Sequence, residues 1–318
     1  MLLNYLSTVR IIKLSNHKIT TTQQNIWIVT AVIGPIIFWS DGNWPGVLIW
    51  GAGISLLCWC AVRYGRHWSG VIYNIVQCLW LSVVLSQVLP YSAECWPTGE
   101  RTFPVVPLAL LALAAVSALK DSKATAGGIS VLFWVAAFLI GIVLAAGVPE
   151  LNSGYLLPQK NGIGAQIILV FLIPAAAGFL HREKTVNLPF VLVVVLGAAV
   201  AVWISGILSP KIAGTVQWPF YEAAKSVQLF DVAKRLESLV SAGVTVGNYA
   251  LYSLLLCSIR NIGDKFHKGR EAVVISAGIS ASLMLLELII DTEILVIVCL
   301  ILWLFLPLLG VIQKKRNE

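Results

Sequence analysis

An all-α polytopic membrane protein with ten transmembrane helices is the fold class that this 318-residue sequence predicts, and three observations lead to it. The first is composition: 58% of the residues are hydrophobic, 12% are charged and the mean hydropathy is +0.86. A soluble domain carries about 25% charged residues and has no single core large enough to hide so much apolar surface. A water-soluble enzyme, a disordered chain and a basic nucleic-acid binder are therefore excluded. The second is a series of ten apolar runs, each bounded by charged or turn residues. The third is the distribution of the 22 lysines and arginines, which are dense in alternate loops and sparse in the others. That asymmetry is the mark of cytoplasmic loops in a helical membrane protein.

The runs are Ile26–Trp39, Trp44–Val62, Trp68–Pro90, Phe103–Leu119, Ala126–Val148, Ala165–Leu180, Leu188–Leu208, Leu239–Ser258, Ala272–Ile290 and Ile294–Ile312. A helix needs about 20 apolar residues to cross the hydrocarbon layer, and helices are expected because a backbone in lipid must satisfy its own hydrogen bonds. Ten spans put both termini on one side. Residues 1–24 and 313–318 are then cytoplasmic tails around a single membrane domain, 25–312. Sixteen basic residues fall on the inner side, and six (Arg101, Lys160, Lys211, Lys225, Lys234, Arg235) fall outside. The first 24 residues carry Arg10, Lys13 and Lys18 without a long apolar segment, which argues against a signal peptide. Trp39, Trp44, Trp68, Trp96 and Trp218 stand at run ends, where an aromatic belt lies.

The first and sixth runs are the shortest, and both are interrupted, by Gly34-Pro35 and by Pro174 with Gly178. Proline removes a backbone donor and glycine tolerates unwound dihedrals, so each run is expected to break into half-helices with free backbone groups near the midplane. Interrupted spans at matching places in two halves point to an inverted repeat, here five plus five, although proline and glycine are also common in ordinary transmembrane helices.

Polar residues at helical spacing supply further lining candidates. Tyr73 and Gln77 share a helix face with Asn74 beside it, and Asn248, Tyr249 and Tyr252 form a similar stripe in the eighth run. Interhelical hydrogen bonding is the alternative role for both stripes. The ligand-binding candidates are thus Val32, Ile33, Gly34 and Pro35 in the first run and Tyr73, Asn74 and Gln77 in the third. Pro174, Ala175 and Gly178 join them from the sixth, and Asn248, Tyr249 and Tyr252 from the eighth.

Little else suggests chemistry. The six cysteines read as small buried hydrophobes, because five lie inside apolar runs and Cys58 and Cys60 point to different helix faces. His17, His67, His181 and His267 fall in expected cytoplasmic segments. No catalytic triad order, phosphate loop or metal-ligand spacing occurs in the spans, so neither an enzyme nor a cofactor is expected. Glu287 is the one ionisable residue inside a run, close to its outer end, with an interfacial or a proton-coupling role open to it. The segment 209–238 is amphipathic: Phe220, Ala223, Ala224, Val227 and Phe230 or Asp231 recur at helical spacing, with Lys225, Lys234, Arg235 and Glu237 facing away. It is expected to lie on the outer mouth as a gate, a docking surface or a packing element.

Ile19–Gly34 (ITTTQQNIWIVTAVIG) resembles the opening of the spore germination permease family, the B subunits of nutrient germinant receptors. Trp218–Tyr249, with Arg235 and Glu237, resembles that family's loop between spans seven and eight, and Trp44–Leu57 its second span. The resemblance follows the order of spans along the whole chain. It implies a LeuT-type fold of the amino acid/polyamine/organocation superfamily, with broken helices 1 and 6, in the spore inner membrane, which is a bacterial cytoplasmic membrane. It also implies larger A and lipoprotein C partner subunits and a small nutrient ligand of the amino acid class. The chain departs from the family in its short loops at Ser40–Asn43 and Asp291–Glu293 and in having no acidic residue in the sixth run. A free-standing secondary amino acid transporter is the rival expectation.

Overall fold

The computed structural model describes residues 19–64, 70–94, 105–156, 164–180, 188–216, 218–227, 236–288 and 290–309. Outside them lie the expected tails before Ile19 and after Leu309, together with Phe230, Asp231, Lys234 and Arg235 of the outer loop. His17, His67, His181, Cys95, Trp68 and Trp96 also lie outside, as do Arg66, Arg101, Lys160, Arg182 and Lys184.

Every one of the ten apolar runs carries a helix, and among the described residues there is no strand. The helices are α1 (Thr21–Trp39), α2 (Trp44–Tyr64), α3 (Val71–Val88), α4 (Val105–Lys120) and α5 (Ser122–Gly147). They continue with α6 (Ala165–Ala176), α7 (Leu188–Ile207), α8 (Glu237–Asp264), α9 (Gly269–Leu285) and α10 (Thr292–Cys299). Six of them, α2, α3, α5, α7, α8 and α10 with its extension to Leu309, are long and apolar enough to cross a membrane. The molecule is accordingly a helical membrane protein. Its outer faces are apolar, as lipid contact requires: Val131, Trp134 and Phe138 of α5 are each at least two-thirds exposed.

Local chemistry sets the helix boundaries. α1 starts five residues before its apolar run because Thr20 and Gln23 form a capping box, each side chain bonding the other's backbone N–H. Asp121 and Asp291 cap α5 and α10 by accepting from Lys123 N and Glu293 N. α8 runs past its apolar segment to Asp264 and is the central helix, buried on most of its surface against α1, α3, α4, α5 and α9. Its run of small residues, including Gly243 and Gly247, permits that many neighbours.

The packing partners follow a pattern. α1, α2, α3 and α4 each touch the helix five places later, α6, α7, α8 and α9. The pairs α1–α7 and α6–α2, α3–α9 and α8–α4, and α1–α5 and α6–α10 also exchange under the same shift of five. α1–α8, the most extensive pair, has no counterpart of like extent between α6 and α3 among the described residues.

The expected breaks in the first and sixth runs are corrected. α1 is one continuous helix through Gly34 and Pro35. Pro35 lies only four residues before the last helical residue, Trp39, so the lost donor affects one late hydrogen bond and the remaining turn survives. In the sixth run, α6 passes Pro174, and the chain then tightens into a 3₁₀ turn, Ala177–Phe179, at the end of the run. Neither proline leaves a half-helix end at the middle of the bundle.

Candidate functional site

Gly34 serves a different purpose from unwinding: it lets α1 cross α8 at backbone distance. A Cβ built on Gly247 would lie 2.8 Å from Gly34 N and 3.2 Å from Thr30 O, and a Cβ on Gly34 would run into the Asn248 side chain. Asn248 is buried, as are Val32, Ile33 and Pro35 beside this crossing. One turn along, the Trp27 indole donates to Ala250 O at 2.9 Å and locks the same helix pair.

The structure brings Gly34 and Asn248 together, with Val32, Ile33 and Pro35 on the same stretch of α1, and distributes the candidates of the third, sixth and eighth runs other than Asn248 over different seams. Tyr73 Oη and Gln77 Nε2 both donate to the Leu302 carbonyl, at 3.5 and 3.2 Å. Leu302 belongs to a π-helical segment of α10, Leu300–Phe305, whose wider turn displaces carbonyls from their usual partners. Asn74 donates to Gly70 O and accepts from Lys265 Nζ at 3.2 Å. Tyr249 Oη meets Ser117 Oγ of α4 at 2.7 Å, and Tyr252 Oη donates to Val88 and Leu89 carbonyls at the end of α3. Pro174 and Ala175 are buried in α6, and Gly178 is half-buried in the 3₁₀ turn that follows.

Two closures bracket the α1–α8 crossing. At the C-terminal end of α1 lies an aromatic plug. Phe38 meets Trp218 edge to face at 4.9 Å and stacks on Tyr221 at 5.9 Å, while Trp39 meets Tyr91 at 5.0 Å. Trp218 and Tyr221 come from the segment between α7 and α8, where Pro219–Ser226 forms the expected amphipathic helix. Phe220, Ala223 and Ala224 are buried, and Phe220 packs on Trp203 of α7 at 4.7 Å, while Glu222 and Lys225 form a salt bridge on the far face. Tyr221 Oη shares a hydrogen bond with Ser241 Oγ of α8 at 3.0 Å, which fastens the loop helix to the central helix. Asp41 follows in the turn to α2, where burial raises its carboxyl above the ordinary range while the bond from the Asn43 N–H works against the rise.

At the other end the contacts are polar. Gln24 Nε2 of α1 donates to Ala177 O, and Ser258 Oγ of α8 donates to Ala176 O at 3.1 Å, so both helices grip the end of α6. Gln24 Oε1, Asn25 Oδ1 and Asn261 Nδ2 are buried here on the same three-helix end without a partner.

Sequence reasoning missed this clamp, the plug's Phe38 and Tyr91, and the Leu302 carbonyl. Gln24 was legible as a polar residue entering an apolar run, whereas a backbone carbonyl has no sequence signal. Glu287, the one ionisable residue inside a run, is exposed just past the end of α9. Among the described residues no group of three His, Cys, Asp or Glu side chains could hold a metal ion. No protein-family model matches the chain, and no curated protein matches its sequence significantly.

Proposed function

We propose that the chain is the membrane subunit of a spore nutrient germinant receptor, which binds a small nutrient of the amino acid class and signals through A and C partner subunits. In this reading the ten helices all cross the spore inner membrane as a LeuT-type inverted repeat with both termini cytoplasmic. The exchange of packing partners under a shift of five helices supports the repeat, as a two-fold relation between halves would produce it. The lack of packing of like extent between α3 and α6 among the described residues and the continuous α1 are departures from the ideal arrangement.

The observation that carries the reading is the α1–α8 crossing closed by an aromatic plug at one end and a polar clamp at the other. A binding event that relaxes one closure and not the other has two conformations to choose between, and differential affinity alone shifts the population. Equilibrium binding of radiolabelled amino acids to the purified chain in nanodiscs, with and without its partner subunits, tests it. Saturable binding of one class of amino acid is expected, and Gly34→Leu abolishes it while the protein still inserts. Absence of saturable binding for every amino acid in both preparations overturns the reading. A secondary transporter is the second reading, favoured by the differing chemistry of the two closures, and substrate uptake by vesicles holding the chain alone would select it.

A further inference from the structure

A groove between α2 and α7, lined by none of the residues of the α1–α8 crossing, has the form of a lipid site. α2 and α7 are held together over one half of their contact by the Phe171 ring of α6, which fits between two glycines. A Cβ on Gly51 would come 2.7 Å from Phe171 Cζ, and one on Gly197 would come 3.4 Å from it. Over the other half the two helices leave a groove of about 410 Å³, lined by Ala52, Ser55, Leu56 and Trp59 of α2 and by Phe190 and Val194 of α7. That volume is within the range of roughly 300–1,000 Å³ typical of ligand pockets. The mouth faces outward from the bundle, since Leu56 and neighbouring Val191 and Val195 are all more than half exposed.

Two features distinguish this groove from plain lipid-facing surface. Ser55 is 3% exposed, and its hydroxyl, in the wall, has no hydrogen-bond partner. At one end the Arg63 guanidinium folds back over the Trp59 ring, 5.2 Å from its centroid, and lies 5.5 Å from that of Tyr64. Cation–π contact holds the charge beside the groove. Among the described residues no carboxylate pairs with Arg63. An apolar slot open to lipid and ending at a cation that has no carboxylate partner among the described residues fits one class of molecule.

We infer that this groove selects an anionic phospholipid, one acyl chain lying between α2 and α7 and the phosphate meeting Arg63. The inference rests on the membrane location of the helices and is independent of which nutrient the chain binds. The test uses the purified full chain in vesicles of equal phosphatidylglycerol and phosphatidylcholine, with Leu56→benzoylphenylalanine for photo-crosslinking and Phe138→benzoylphenylalanine on α5 as the reference. Mass spectrometry of the adducts is expected to show an excess of phosphatidylglycerol at position 56 of about fivefold, the factor one cation near an anionic surface supplies. Position 138 follows the bulk ratio, and adding Arg63→Gln returns position 56 to that ratio. Equal ratios at the two positions, or an excess that survives Arg63→Gln, overturns the inference. A protein-sized adduct at position 56, from a second copy of the chain seated in the groove, overturns it as well.

Discussion

At the scale of single residues, glycine decides how closely α1 and α8 approach. Gly34 was legible as a special position, but the property that matters is its missing side chain and not its tolerance of unwound backbone. Nothing in one sequence distinguishes these two uses, because both require the same residue, and only the partner Gly247 separates them. The atoms that a Gly247 methyl would meet, Gly34 N and Thr30 O, are backbone and have no rotamer to yield. Overpacking of this kind costs about 1–3 kcal/mol. Gly247→Ala is therefore expected to lower the unfolding temperature in detergent by several degrees, whereas Gly53→Ala, with nothing within 4 Å of the added carbon, leaves it unchanged. Equal shifts for the two variants would show that the crossing is looser than its distances. The stripe Tyr73, Asn74 and Gln77 was likewise legible as buried polarity, and its partners were not: the Leu302 carbonyl depends on a π turn in α10 that hydropathy does not encode.

At the scale of elements, the apolar runs located the helices within a few residues, since burial in lipid or protein demands the same composition along the whole length. The ends moved where polar chemistry took over. α1 begins early on its capping box, and α8 continues past its apolar segment to Asp264, with Arg260 in the added turns donating to Ala118 O at 2.6 Å. The loop helix was legible because its apolar residues recur at helical spacing, and the structure buries that face against α7 and α8. Its two faces therefore differ in energetic weight. Phe220→Asp places a carboxylate against the Trp203 ring in a fully buried position and is expected to unseat the helix, lower the thermal midpoint and weaken the amino acid binding proposed above. Lys225→Ala breaks a salt bridge between half-exposed side chains, and surface pairs of this kind contribute about 0–1 kcal/mol, so both readouts should stay near the unsubstituted values. Limited proteolysis after Lys225 gives a third readout, faster in Phe220→Asp than in the parent.

At the scale of the whole molecule, the packing is consistent with the proposed ten crossings, and the charge distribution gives that proposal its orientation. The polar clamp joins the start of α1, the end of α6 and the end of α8, and the plug joins the end of α1 to the segment before α8. If the chain crosses the membrane at each of the ten helices, as proposed, the clamp ends share one side, the plug ends share the other, and the clamp side is the one rich in lysine and arginine. The basic residues Lys120, Lys123, Arg260, Lys265, Lys268 and Arg270 all lie in the connections α4–α5 and α8–α9 or at the helix ends flanking them. The short α4, α6 and α9 and the polar start of α1 are where a length criterion alone stops short of ten crossings; α1 and α6 are buried on most of their surface, whereas α4 and α9 each bury one face. A helix wrapped by protein does not need the full apolar length that lipid requires, so accessibility must settle the count. Single cysteines in a background without native ones, placed at Lys123, at Lys268 and at Ser153 after α5, discriminate the alternatives. Membrane-impermeant maleimide on intact cells should label Ser153→Cys and spare Lys123→Cys and Lys268→Cys until the membrane is opened. Removing the crossing by α6 or α9 from the count would place Lys268 or the chain beyond it on the opposite side, and labelling of Lys268→Cys in intact cells would overturn the ten-helix topology.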